Sequence, residues 1–204
     1  MANFVKTGAH RGIFCLEMPW NASSENIDET APKTVLPGLQ LITRYHGLIQ
    51  LNYKTCATSA ELRYHLEDFA TMKKNAREWY GCLYIASHGS RGSIHLPGDK
   101  ESLTIGQLAK MIGKLFKGAI VYFGSCSVLD CNDSELENFI DETEVDVIVG
   151  YKYDIDWVDS TILDILFLNR FLDDNRPKSK VVFWKKFEAD YKEFIKKYGM
   201  VFYG

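Results

Sequence analysis

Short apolar runs recur along the chain, and the stretches between them carry apolar residues every three or four positions. The runs are 13–18, 48–53, 82–87, 119–123 and 145–151. Several are apolar without alternation, as strands covered on both faces must be. The intervening segments have helical period. In "SAELRYHLEDFATMKK", Leu62, Leu66 and Phe69 form one stripe behind a Ser59 cap. In "TIGQLAKMIGKLF", Ile105, Leu108, Ile112 and Leu115 form another behind Thr104. "DSELENFIDE" and "STILDILFLNRFL" follow. "VVFWKKFEADYKEFIKKY" reads as one closing helix with Trp184, Phe187, Tyr191, Phe194 and Tyr198 along one side. One segment, 21–38, is polar, holds Pro32 and Pro37, and reads as a linker.

Strands alternating with helices at this spacing imply right-handed crossovers and a mostly parallel sheet with helices on both faces. The expected fold is a three-layer α/β/α sandwich, a single domain over residues 1–204. The strands ending at Ser87 and Phe123 are expected to be parallel neighbours, because a single amphipathic helix separates them.

In open α/β sheets, sites form beyond the carboxyl ends of the strands. Two runs end there in reactive residue types: "LYIASHGS" delivers His88 and Gly89, and "AIVYFGSCS" delivers Cys126. If the strands are neighbours, an imidazole and a thiol share one crevice. The imidazole can take the thiol proton, and the thiolate can attack a carbonyl to form a covalent acyl intermediate. The backbone amides of Gly89 and Cys126 could receive the developing oxyanion. Glu17 interrupts the first apolar run near its carboxyl end, where a carboxylate needs water, a partner or a ligand. Asp154, Asp156 and Asp159 cluster after the fifth run, beside Trp157. At a cleft these acids would attract a Lys or Arg side chain. That makes Asp154, Asp156, Glu17 and Trp157 the candidate substrate-binding residues, with Asp159 also suited to capping the helix that follows. Trp20 is a further candidate for a pocket wall.

Composition narrows the function classes. A formal charge of −3 argues against a dedicated nucleic-acid binder. The C-terminal lysines are interrupted by Glu188, Asp190 and Glu193, as on a solvated helix face. No segment approaches the roughly 18 uncharged apolar residues of a membrane span, and the first residues lack a signal-peptide run, so a cytoplasmic location is expected. The five cysteines (Cys15, Cys56, Cys82, Cys126, Cys131) are odd in number and form no C-x-x-C pair, so neither a disulfide framework nor a metal site is expected. No cofactor motif is present. "EMPWNASS" follows the first run where a phosphate-binding loop would need glycines, which ranks a flavodoxin-like binder last.

The blocks "LYIASHGSRGSIHL", "ESLTIGQL" and "AIVYFGSCSV" together resemble the caspase-like clan of cysteine peptidases, and within it the CHAT and separase branch. Leu96, Leu103, Thr104 and Leu108 fit the hairpin and helix start that follow His-Gly in CHAT sequences. Gly124 to Ser127 resembles the separase form of the cysteine block. A third block, "VIVGYKYDIDWVDSTILDILFLNRFL", resembles the CHAT pattern at Gly150, Tyr153, Ile155 and Asp156, with Tyr153 where Trp is usual. Ser125 stands where the branch prefers Ala. The resemblance spans about Gly81 to Leu172. It implies a caspase-like fold, a catalytic pair of His88 and Cys126, and a protein or peptide substrate. A cut after Arg or Lys and a separate regulatory protein are further expectations. The alternative is a non-catalytic interaction module, dimeric through the apolar "ILDILFL" helix.

Overall fold

The computed structural model describes residues 12–19, 34–46, 50–77, 80–173 and 179–204. Its centre is a run of strands with almost no solvent contact: β1 (Gly12–Glu17), β3 (Tyr80–Ala86), β7 (Ile120–Gly124) and β8 (Val147–Tyr151) are buried at every position. They lie in a six-stranded sheet of order β2-β1-β3-β7-β8-β9, with β2 at Leu51–Thr55 and β9 at Met200–Tyr203. All pairs are parallel except β8 with β9. The expected neighbours are side by side: Cys82 pairs with Ile120 and Ala86 with Gly124, so β3 and β7 end level.

Alternate side chains feed two cores. One face packs on α2 (Ser59–Thr71), α4 (Ile105–Ile112) and α5 (Asp133–Thr143), the other on α1 (Leu36–His46), α6 (Trp157–Leu172), α7 (Lys180–Asp190) and α8 (Lys192–Tyr198). This is the three-layer sandwich of the caspase-like fold. A one-turn helix, α3 (Lys74–Arg77), precedes β3, and a small antiparallel sheet of β4 (His88–Ser90), β5 (Ser93–His95) and β6 (Leu103–Thr104) stands over its end.

Several expectations change. The α2 cap is Thr58 rather than Ser59, in a reciprocal capping box with Glu61. Thr104 caps α4 as expected, paired with Gln107. The closing helix breaks at Tyr191 into α7 and α8, which leaves Phe194 46% exposed, and the chain then adds the antiparallel edge strand β9. On the apolar "ILDILFL" helix, Leu163, Phe167 and Leu168 are buried in this protein's own core, while Ile162 is exposed. No helix among the described residues is long and apolar enough to cross a membrane. Trp20 and most of the linker-like segment lie outside the described residues.

Candidate active site

Strand alternation aims the reactive residues. Ser87 and Ser125 are the first residues beyond β3 and β7, both are buried, and their hydroxyls hydrogen-bond at 2.9 Å. His88 and Cys126 are the next residues of each chain segment, so this bond ties their backbones at a fixed spacing. Gly89 then passes so close to the cysteine turn that a Cβ there would lie 2.4 Å from the Cys126 carbonyl oxygen and 2.5 Å from Val128 Cγ2. A side chain does not fit.

The cysteine turn is itself held in place. Ser127 has φ of 54°, a left-handed conformation costly for a residue with a Cβ. Its amide donates to the Tyr153 carbonyl, its hydroxyl donates to Asp154 Oδ1 at 2.6 Å, and the Leu129 amide donates to the Tyr151 carbonyl. Cys126 is half-buried, and its Sγ lies against Ile155, accepting from the amide at 3.5 Å and donating to the carbonyl at 3.4 Å.

His88 and Cys126 line one cleft of about 280 Å³ together with Gly124, Ser125, Ile155, Asp156, Trp157 and Ser160. His88 is exposed on its open side. Asp156 caps α6, its Oδ1 accepting from the amides of Val158 at 2.8 Å and Asp159 at 3.4 Å. Trp157 is a half-buried wall, and its Nε1 is shielded from solvent with no hydrogen-bond partner among the described residues.

Two expected substrate contacts are placed elsewhere. Asp154 is not among the residues lining this cleft, and its carboxylate steadies Ser127. Glu17 is buried on β1, where it accepts from the Thr34 hydroxyl at 2.6 Å, the Val35 amide at 2.9 Å and the Tyr53 hydroxyl. It anchors the entry to α1. Asp159 lies against Tyr198 and Lys197 of α8. His95 is held between Ser102 and Ser90 on the small sheet, as a hairpin residue should be. No group of three or more potential metal ligands occurs among the described residues.

Sequence reading missed a polar cluster beneath the cleft. Asp164, 2% exposed in the middle of α6, accepts from the hydroxyls of Tyr84 at 2.6 Å, Tyr122 at 2.6 Å and Tyr151 at 2.5 Å. These tyrosines come from three adjacent strands. The only local sign is one acid inside "TILDILFL". Burial pushes its carboxyl up from 3.8 to about 6, against the three hydroxyls that pull it down. The folded form therefore holds this proton more tightly than the unfolded chain. The stability it contributes is complete below the ordinary aspartate value and is lost as pH rises through about 6. A rise of that size corresponds to about 3 kcal/mol. Urea unfolding between pH 4.5 and 7.5 should show that decline, and Asp164→Asn should flatten it. Equal pH slopes in the two proteins would contradict the assignment.

The mostly parallel sheet with helices on both faces is a caspase-like fold. The chain belongs to the family of unknown function DUF6642, whose model matches residues 10–198. No curated protein matches it by sequence. Among solved structures it is similar to a secreted C11 cysteine protease from Bacteroides thetaiotaomicron, in complex with an irreversible peptide inhibitor. The TM-score is 0.55 at 9% identity, over 90% of this chain and 59% of that one. The chain thus spans about three fifths of the protease's length. The likeness is one of caspase-like fold and does not reach the CHAT and separase branch.

Proposed function

We propose that the protein is a cysteine endopeptidase with Cys126 as nucleophile and His88 as general base, acting on proteins or peptides and cutting after a basic residue. The observation that carries this reading is the pairing of β3 with β7, which brings His88 and Cys126 to the same cleft through the Ser87–Ser125 bond. The Cys126 thiol gives its proton to the His88 imidazole, and the thiolate attacks the scissile carbonyl. The amides of Gly89 and Cys126 receive the oxyanion. As the tetrahedral adduct collapses, His88 returns the proton to the leaving amine and a thioester remains on Cys126. Water, deprotonated by His88, then hydrolyses the thioester to release the acid and restore the thiol.

Within the caspase-like group, the His-Gly, Leu-Thr and Gly-Ser-Cys-Ser blocks favour the CHAT and separase branch. We place the whole chain in one such domain, governed by a separate regulatory protein. All five cysteines are unpaired thiols, which fits a reducing, cytoplasmic setting.

Asp156 supports the basic preference. It lines the cleft, and its Oδ1 is committed to the helix cap while Oδ2 makes no hydrogen bond among the described residues. Of the candidate acids Asp154, Asp156 and Glu17, it is Asp156 that lines this cleft, beside the flat wall of Trp157. A panel of fluorogenic peptides that varies only the residue before the scissile bond tests both activity and preference. Arg and Lys peptides should turn over fastest, and Asp156→Asn should erase most of the difference. Faster turnover of Asp or aromatic peptides would overturn the specificity, and no turnover of any peptide would overturn the activity.

A further inference from the structure

The buried Asp164 cluster lies on the same side of β7 as the candidate nucleophile. Tyr122, Gly124 and Cys126 alternate onto one face, and Cys126 packs at the margin of the core that Tyr122 and Tyr84 fill. Gly124 is the space between them. A Cβ there would lie 2.6 Å from the Tyr84 hydroxyl and 2.8 Å from Asp164 Oδ2, so the carboxylate rests against the backbone two residues before the thiol. On α6, Trp157, Ser160 and Asp164 follow at three and four positions along one face. The first two line the cleft and the third reaches underneath it.

We propose that Asp164, held by Tyr84, Tyr122 and Tyr151, is a positioning residue whose buried charge sets how readily the Cys126 thiol ionises. This rests on the reading of Cys126 as nucleophile. The physical reason is that the cluster holds no compensating cation among the described residues: the partners of the carboxylate are three neutral hydroxyls. A charge dispersed only by hydrogen bonds, in a medium of low polarity, acts on its neighbours at full reach. Among the described residues, the titratable groups that face it are few. They are Tyr84 and Cys82 from β3, Tyr122 from β7 and Tyr151 from β8, with Cys15 and Glu17 of β1 beyond Tyr84. The Tyr151 carbonyl accepts from the Leu129 amide of the cysteine turn, which links the cluster to the thiol's loop. From α1 and α7 the same core receives Leu39, Ile42, Phe183 and Phe187, which carry no charge. Asp164 gains its negative charge as pH rises through about 6, and from there upward that charge opposes the thiolate.

The test is the rate of Cys126 alkylation by iodoacetamide across pH 5 to 9.5, read by peptide mass mapping. In Asp164→Asn the midpoint of the profile should fall by about half a pH unit or more, with several-fold faster labelling at pH 7. Tyr84→Phe removes one donor from the carboxylate and so delays its ionisation. Its profile should follow that of Asp164→Asn near pH 6.5 and rejoin the unmodified protein above pH 8.5. A residue that serves only packing would change the amplitude of labelling, not the midpoint. Both variants keeping the original midpoint while folded, as shown by near-ultraviolet circular dichroism, would overturn the proposal. If only Tyr84→Phe folds, its profile decides alone. The same measurements in a His88→Ala background separate the two ideas. A shift on changing Asp164 is expected there too, whereas labelling that ignores His88 counts against the peptidase reading alone.

Discussion

Replacing Cys126 by alanine is expected to reduce peptide hydrolysis to background, a loss of at least about a thousandfold, with little change in stability. Neither neighbouring hydroxyl is placed to substitute for Cys126 as the proposed nucleophile, since Ser125 is buried and bonded to Ser87 and Ser127 is bonded to Asp154. Alanine keeps the backbone of the turn, including the Ser127 and Leu129 amide bonds to the Tyr153 and Tyr151 carbonyls. What is lost is one half-exposed sulfur and its weak contacts with Ile155, on the order of 1 kcal/mol. In a chain of this length that moves the melting temperature by only about 2–4 °C. Activity assays and calorimetry on the same preparation check both halves. A variant that unfolds would make Cys126 a core residue, and one that still cleaves would remove it from the chemistry.

Gly89→Ala should be a strongly damaging small substitution among the described residues. The new methyl would meet the Cys126 carbonyl oxygen at 2.4 Å, Val128 Cγ2 at 2.5 Å and Ser125 Cβ at 3.1 Å. Only the valine methyl can turn aside. The first contact is backbone against backbone, so β4 and the cysteine turn must separate, at a cost of about 1–3 kcal/mol. The separation moves His88 relative to Cys126, and a displacement of about 1 Å at reacting groups costs roughly a hundredfold in rate. Urea midpoints and peptide turnover should therefore fall together. Wild-type values for both would show that the turn yields freely and that the close approach has no bearing on the site.

The parts of this structure that sequence reveals are those written locally. The strands around Leu83 and Val121 are buried on both faces and leave unbroken apolar runs, so their positions and their parallel pairing follow from short-range pattern. His88 and Cys126 are visible because each stands within three residues of the end of such a run. The chain beyond Tyr191 is harder to read. The helical period continues through the break that separates α7 from α8, and β9 is an edge strand of four residues with no buried run of its own. Glu17 stands out as an acid in a strand, yet its partners Thr34 and Tyr53 lie 17 and 36 residues away, and only the folded sheet brings them together. Asp164 has the same character. Each of its three tyrosines is an ordinary strand residue until β3, β7 and β8 align them under α6.

The central claim is that His88 activates Cys126, and selective alkylation tests it most directly. Burial raises the other four thiols: Cys131 to about 11, Cys56 to about 12, and Cys15 and Cys82 higher still. They should be nearly inert to iodoacetamide near neutral pH. Brief treatment of the native protein at pH 7, followed by mass mapping, should give carbamidomethyl on Cys126 alone. In His88→Ala that labelling should slow by about tenfold or more, since a positioned proton acceptor contributes roughly a hundred- to ten-thousandfold to a rate. Labelling spread over several cysteines, or equally fast at Cys126 without His88, would contradict the account.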